Sequence, residues 1–235
     1  MTVRLTVRHH FDFGSDRAVV GDDLGNPESW DALRTQTSGA FALPATREAW
    51  EQTADEHPEL EARARRVTEL LDRRGVGRLA SYGVGGATLE CWLARQSPGR
   101  ELVVTDYAQA TVERLAPIFT EARCVRHDLF ADPPLDADLH LFHRIDTEFD
   151  DGDWRRVFER FAAHPVLFVA AGQVDLRGAL AEWRKGRRAG ASRAGWVRTL
   201  TALEALWERT HRATAIELGD LVAWTLEPKR ALSRG

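Results

Sequence analysis

Between Gly77 and Ala171 the chain alternates short apolar runs with helix-length amphipathic stretches, and this alternation narrows the choice of fold more than any other feature. Strand-like runs fall at 77–82, 101–105, 122–126, 138–143 and 166–171, and helical spacing falls at 88–95, 108–119 and 153–163. A helix-length crossover is the connection that parallel strands need, so the pattern predicts a doubly wound α/β fold with a mostly parallel sheet. Two further helical stretches are expected at about 176–184 and 194–211, followed by strand-like runs at 213–218 and 221–226. Only Gly219-Asp220 separates those last two runs, and a two-residue loop with Gly first is a hairpin signal. The expected sheet therefore has seven strands and closes on a C-terminal antiparallel hairpin.

The N-terminal part has a different texture. Residues 3–8 allow a short strand, and residues 14–40, rich in Gly, Asp, Asn and Ser, read mostly as loop. Thr46 is placed to cap a helix through about Glu56 with Trp50 and Ala54 on one face, and Pro58 suits the first turn of the next. In that second helix Leu60, Ala64, Val67 and Leu71 recur at helical spacing, with Gly75 at the position of a C-terminal cap. We divide the chain into a helical extension, residues 1–57, that either packs on the sheet or forms a lid, and an α/β domain, residues 58–235.

Bulk properties exclude some partners. A net charge of -4 and a pI near 6.1 argue against a broad basic face for duplex nucleic acid. Cys91 and Cys124 supply neither a disulfide framework nor zinc-ligand spacing. The first ten residues lack the apolar centre of a signal peptide, and no run approaches the roughly 20 apolar residues of a membrane span. The expected location is the cytoplasm. His9-His10 and the pair His140, His143 do not make a metal site, because residues three apart on a strand face opposite sides and no third ligand has suitable spacing.

The chemistry concentrates at the ends of the strands. The first strand breaks into Gly83-Val84-Gly85-Gly86 before a helix begins. Glycines let backbone approach a ligand closely, and a helix start offers unpaired N–H groups, so this turn suits a nucleotide-bearing cofactor. Asp106 follows the second strand, where an acid can accept both ribose hydroxyls. Asp128 follows the third, and the fourth opens into the polar run Phe142-His-Arg-Ile-Asp-Thr-Glu-Phe149. Near the C-terminus Arg184, Lys185, Arg187, Arg188 and Arg193 lie beside Trp183 and Trp196. They read either as a solvated loop or as a clamp for a carboxylate, a phosphate or single-stranded nucleic acid.

Over roughly residues 60–228 these motifs and the terminal hairpin resemble the class I S-adenosylmethionine-dependent methyltransferases. The resemblance implies methyl transfer from S-adenosylmethionine to a small-molecule O, N or C acceptor, and the basic residues Arg184, Lys185, Arg187 and Arg188 add the expectation of an anionic one. The family's first motif, an acid, a hydrophobic residue and G-x-G-x-G, maps onto Ser81, Tyr82, Gly83, Val84, Gly85, Gly86 and Ala87. Ser81 thus replaces the acid, and Ala87 the last glycine. Either another carboxylate meets the cofactor's ammonium group or its binding is weakened. By the same resemblance Asp106 holds the ribose, Tyr107 lies against the adenine, and Asp128 with the Leu129 N–H takes the adenine edge. His143, Arg144, Asp146 and Glu148 border the transferred methyl group, with His143 and Asp146 as the catalytic candidates and His143 the natural general base at neutral pH.

Two other readings stay open. A nicotinamide-dependent oxidoreductase would use the same turn and Asp106, yet it leaves Asp128 and the terminal hairpin unexplained. A non-catalytic binding or scaffold protein would have kept the fold after losing the acid at Ser81.

Overall fold

The computed structural model describes residues 3–11, 27–36, 41–187, 192–219 and 221–229. In chain order these form β1 (Thr6–Phe11), α1 (Pro27–Arg34), α2 (Arg47–Asp55), α3 (Pro58–Arg73), β2 (Arg78–Tyr82), α4 (Thr88–Gln96) and β3 (Glu101–Asp106). Next come α5 (Gln109–Leu115), β4 (Arg123–Arg126), β5 (Leu139–His143), α6 (Asp151–Arg160) and β6 (Val166–Val169). The chain closes with α7 (Leu176–Lys185), β7 (Ser192–Arg198), α8 (Leu200–Glu204), β8 (His211–Leu218) and β9 (Leu221–Pro228).

Seven strands make one sheet in the order β4-β3-β2-β5-β6-β9-β8. The pairs from β4 to β6 are parallel, while β9 runs antiparallel to both β6 and β8. This is the expected doubly wound sheet with its terminal hairpin. Gly219 opens the hairpin loop with φ +72, and Asp220 lies outside the described residues. The strand order reverses between β2 and β5, and at such a switch point a crevice opens beyond the carboxyl ends of the strands.

Local signals explain where the elements start and stop. Thr46 accepts from the Ala49 N–H at 3.3 Å and caps α2, Pro58 stands in the first turn of α3, and Gly75 ends that helix with φ +65. One Asp138 carboxylate oxygen accepts from the N–H groups of both Gly77 and Arg78 at 2.8 Å, which sets β2 beside β5. Asp150 caps α6 through the Asp153 N–H at 2.8 Å.

The two faces of the sheet are covered differently. Trp50, Val67, Leu71 and Leu89 from α2, α3 and α4 pack on one face. On the other, Tyr82, Phe142, Trp154, Phe158, Phe161, Phe168 and Trp207 form an aromatic core with many rings edge to face. The expected inward set of the α6 region, Trp154, Val157, Phe158 and Phe161, is fully buried. Each such side chain contributes about 1.5–3 kcal/mol by leaving water.

Three expectations are corrected. The helix expected over 194–211 is instead strand β7, the short α8 and a run of turns. Gly195 has φ +104, and a Cβ there would lie 2.0 Å from the Thr147 carbonyl oxygen, while the Trp196 N–H donates to that oxygen at 2.8 Å. β7 pairs antiparallel with β1, so contacts remote in sequence override the local helical spacing. Of residues 14–40, expected to be mostly loop, 14–26 and 37–40 lie outside the described residues, while α1 starts at Pro27, carries Glu28 in its first turn and Arg34 in its last, and buries Leu33. The helix expected to reach residue 119 stops at Leu115, two residues before Pro117.

Candidate functional site

A cavity of about 850 Å³ opens at the carboxyl ends of β2, β3, β4 and β5. Its floor is the glycine turn. Gly83 and Gly85 adopt φ +63 and +53, in the left-handed region that glycine occupies without steric cost. A Cβ on Gly83 would lie 2.8 Å from Ile145 Cγ2, and one on Gly85 would lie 2.7 Å from Arg34 Nη2. The Gly86 carbonyl accepts from Trp50 Nε1 at 2.8 Å, which ties α2 to the turn.

Asp106 braces this turn from the end of β3. Its Oδ2 accepts from the Gly85 N–H and its Oδ1 from the Ala108 N–H, both at 2.9 Å. Burial raises its pKa, and the two N–H groups and the Arg34 guanidinium oppose that rise. Each oxygen keeps a further lone pair. Tyr107, Asp128 and Leu129 also line the cavity. Asp128 is partly committed to its own loop: Oδ1 accepts from the Phe130 N–H at 2.8 Å, and its backbone N–H donates to Asp132 Oδ2 at 2.8 Å. Tyr82 reaches the wall, yet it is buried, pairs its hydroxyl with His140 Nδ1 at 3.0 Å and accepts from the Leu135 N–H at 3.3 Å.

Ser81 does not line the cavity. It is fully buried, and its hydroxyl donates to Glu90 Oε1 at 2.7 Å. Glu90, in the first turn of α4, does line the cavity and is 3% exposed. Burial pushes its carboxyl up to about 7. Sequence reasoning passed over Glu90, although an acid one turn beyond a glycine turn was a visible signal.

The polar end of β5 divides. His143 lines the cavity, but Arg63 Nη1 lies 3.3 Å from its Nε2. An arginine has only donors, so this contact engages the lone pair that a base would use. Burial, and then Arg63 and Arg144, pull the imidazole down to about 3. His143 is thus a wall residue whose Nε2 faces a guanidinium, an arrangement that opposes the general-base role expected of it. Asp146, the other catalytic candidate, is 1% exposed and does not line the cavity. Its Oδ1 accepts from the Ala171 N–H at 2.5 Å, and its carbonyl accepts from Trp154 Nε1 at 3.0 Å and from Arg198 Nη1 at 2.5 Å. Asp146 therefore braces the loop after β5. Arg144 and Glu148 line the cavity.

The cavity is walled on its open side by residues the sequence left unassigned: His9 and Phe11 of β1, Trp30 and Arg34 of α1, and Phe41. Arg34 donates to the Phe41 carbonyl at 3.0 Å, and Asp31 accepts from the Ala110 N–H at 2.9 Å, fastening α1 over α5. The basic stretch stands elsewhere. Arg184, Lys185 and Arg187 are exposed and none lines the cavity; Arg187 stacks on Trp183 at 4.6 Å, and Lys185 pairs with Glu182 at 2.5 Å. Arg188 lies outside the described residues. No helix among the described residues is long and apolar enough to cross a membrane.

No protein-family model and no curated protein sequence matches the chain. Solved structures do. Human N-acetylserotonin methyltransferase in complex with SAM is 17% identical with a TM-score of 0.59, over 90% of this chain and 58% of its own. PigF with SAH is 12% identical with a TM-score of 0.62, over 93% of this chain and 66% of its own. The mitomycin 7-O-methyltransferase MmcR is 16% identical with a TM-score of 0.55, over 92% of this chain and 76% of its own. The chain thus spans about three fifths of the length of the human protein. The fold is that of the class I S-adenosylmethionine-dependent methyltransferases.

Proposed function

We propose that the chain transfers a methyl group from S-adenosylmethionine to a small-molecule acceptor through an O, N or C atom. The observation that carries this reading is the bare glycine turn braced by Asp106, set at the switch point of a methyltransferase sheet. The residues present fit the cofactor. Gly83 and Gly85 line the cavity with backbone alone, and its wall holds a buried carboxylate, Glu90, suited to a cationic group. Structural neighbours bound to SAM or SAH favour this cofactor over nicotinamide, and MmcR, a 7-O-methyltransferase by name, favours an oxygen acceptor.

In this reading the Gly83–Gly86 backbone supports the cofactor, Asp106 accepts from the ribose hydroxyls, Tyr107 packs on the adenine, and Asp128 with the Leu129 N–H takes the adenine edge. S-adenosylmethionine supplies an electrophilic methyl group on a sulfonium. The protein's share of the rate is then positioning: it holds donor and acceptor in line and excludes water. His9, Phe11, Trp30, Arg34 and Phe41 line the cavity, which supports a lid role for β1 and α1 of the N-terminal extension. If the acceptor is a hydroxyl, Glu148 is the carboxylate of the β5 loop that faces the cavity and can take its proton. Free Cys91 and Cys124 fit a reducing cytoplasm.

Isothermal titration calorimetry with S-adenosylmethionine, S-adenosylhomocysteine and NAD tests the reading. Binding of the first two, with NAD silent, supports it. No binding below about millimolar, equivalent to roughly 4 kcal/mol, overturns it.

A further inference from the structure

The acids around the cavity are not equally satisfied. Asp106 has two backbone donors and lies in the field of Arg34, and Asp128 Oδ1 accepts from N–H groups of its own loop. Glu90 differs from both. It is 3% exposed, it receives the Ser81 hydroxyl at 2.7 Å, and its other favourable contact is its own backbone N–H. Among the described residues no Arg, Lys or His offsets its charge. A buried carboxylate without a cation is costly, because desolvation penalises the ionised form. A protein gains nothing for its own stability from such a group, and a carboxylate left in this condition on a cavity wall marks a place for a cationic ligand.

Ser81 explains why the carboxylate stays in place. Ser81 does not line the cavity, and its hydroxyl donates to Glu90 Oε1. The serine at the end of β2 thus orients an acid that projects from the first turn of α4, on the far side of the same glycine turn.

We propose that Glu90, oriented by Ser81, is the subsite for the α-ammonium group at the amino-acid end of the cofactor. The charge that the first motif lacks at the strand end is supplied one helical turn later. Glu90 is the binding residue and Ser81 a positioning residue. This inference rests on the reading of the cavity as an S-adenosylmethionine site.

Two ligands separate the inference from that reading: S-adenosylhomocysteine, and 5′-methylthioadenosine, which keeps the adenosine and the thioether but lacks the amino-acid end. Calorimetry on the wild type, Glu90→Gln and Ser81→Ala is the measurement. Glu90→Gln should weaken S-adenosylhomocysteine by about tenfold or more while leaving methylthioadenosine within about twofold, as expected for loss of one charge-assisted contact. Ser81→Ala should weaken S-adenosylhomocysteine less and in the same selective way. Across pH 6–8 the wild-type affinity for S-adenosylhomocysteine should rise as the carboxyl ionises, and in Glu90→Gln that rise should vanish, a readout that a merely structural role would not produce. Equal losses for both ligands, or no loss for either, overturn the assignment of Glu90. If the wild type binds neither ligand, the cofactor reading itself falls and takes this one with it. Glu90→Gln removes a buried charge without changing volume, so an unfolding midpoint at or above that of the wild type is expected and shows that the loss belongs to binding.

Discussion

Arg198 is the side chain through which the β1–β7 ribbon governs the cavity, and its replacement gives the most demanding test of the structure. Arg198 is 1% exposed, and its guanidinium spans two carbonyls of the loop after β5 and the first residue of α6: the Asp146 carbonyl at 2.5 Å, the Phe149 carbonyl at 2.6 Å and Asp151 Oδ1 at 2.8 Å. In Arg198→Met the Asp146 carbonyl keeps Trp154 Nε1 and Asp151 keeps the Thr6 hydroxyl. The Phe149 carbonyl loses the donor it has. Hydrogen bonds from a charged donor contribute about 1.5–3 kcal/mol each, and an orphaned buried carbonyl costs about 1–3 kcal/mol. Two of the three acceptors retain partners, and methionine recovers some apolar packing, so the net loss should be about 3 kcal/mol. For a chain of this size that corresponds to a fall in Tm of roughly 6–12 °C. Urea unfolding followed by circular dichroism measures it, and Arg198→Lys, which keeps the charge but not the planar fork, should recover less than half of the loss. A double-mutant cycle with Asp151→Asn should give a coupling of about 1–3 kcal/mol. A loss below about 1 kcal/mol, or a lysine variant equal to the wild type, would refute the claim that this fork holds the loop.

Three further outcomes follow from the same contacts. Gly83→Ala should cost about 1–2 kcal/mol through its positive φ alone, with more from the approach to Ile145, and an unfolding free energy within about 0.5 kcal/mol of wild type would show that the turn tolerates a side chain. Asp106→Ala should weaken S-adenosylhomocysteine by about 1–3 kcal/mol in calorimetry, and unchanged affinity in a folded variant removes Asp106 from the site. His140, fully buried against Tyr82, is pulled down to about 3 by burial and then by His164 and His127. Above pH 6.5 neither the folded nor the unfolded chain protonates it. Below that the unfolded chain takes up a proton that the folded one refuses, so stability should fall by about 1.4 kcal/mol per pH unit until about pH 3. His140→Gln should flatten urea midpoints between pH 6 and 4, and an unaltered slope would mean that His140 protonates in the folded state.

The parts of the fold that were legible in the sequence are those whose cause is local. Apolar runs at strand length, the Thr46 and Pro58 starts, Gly75 and the glycine turn each act within a few residues, and each stands where the sequence puts it. Asp106 and Asp128 were visible for the same reason, since strand ends are fixed by the runs before them. β7 was not legible: Leu200, Leu203 and Trp207 carry helical spacing, while the strand before them is specified by β1 and by the Thr147 carbonyl. The roles of His143 and Asp146 also depend on remote partners, Arg63 for one and Ala171 and Arg198 for the other. Glu90 had a signal in its place after the glycine turn, but its pairing with Ser81 is set by the fold.

The β1–β7 ribbon also sets an order of events. The Leu5 N–H donates to the Thr199 hydroxyl across a separation of 194 residues, and Thr6 pairs with Arg198. A contact between such distant segments closes a very large loop, so it forms late and contributes little until the rest of the sheet is in place. On a ribosome, β2, β3 and β5 emerge well before β7, and the glycine turn can assemble while the wall that carries His9 and Phe11 still lacks its partner strand. The nascent protein thus has the floor of its cavity before β1 has the strand that holds its part of the wall, and ligand binding should tighten only once β7 has emerged and paired.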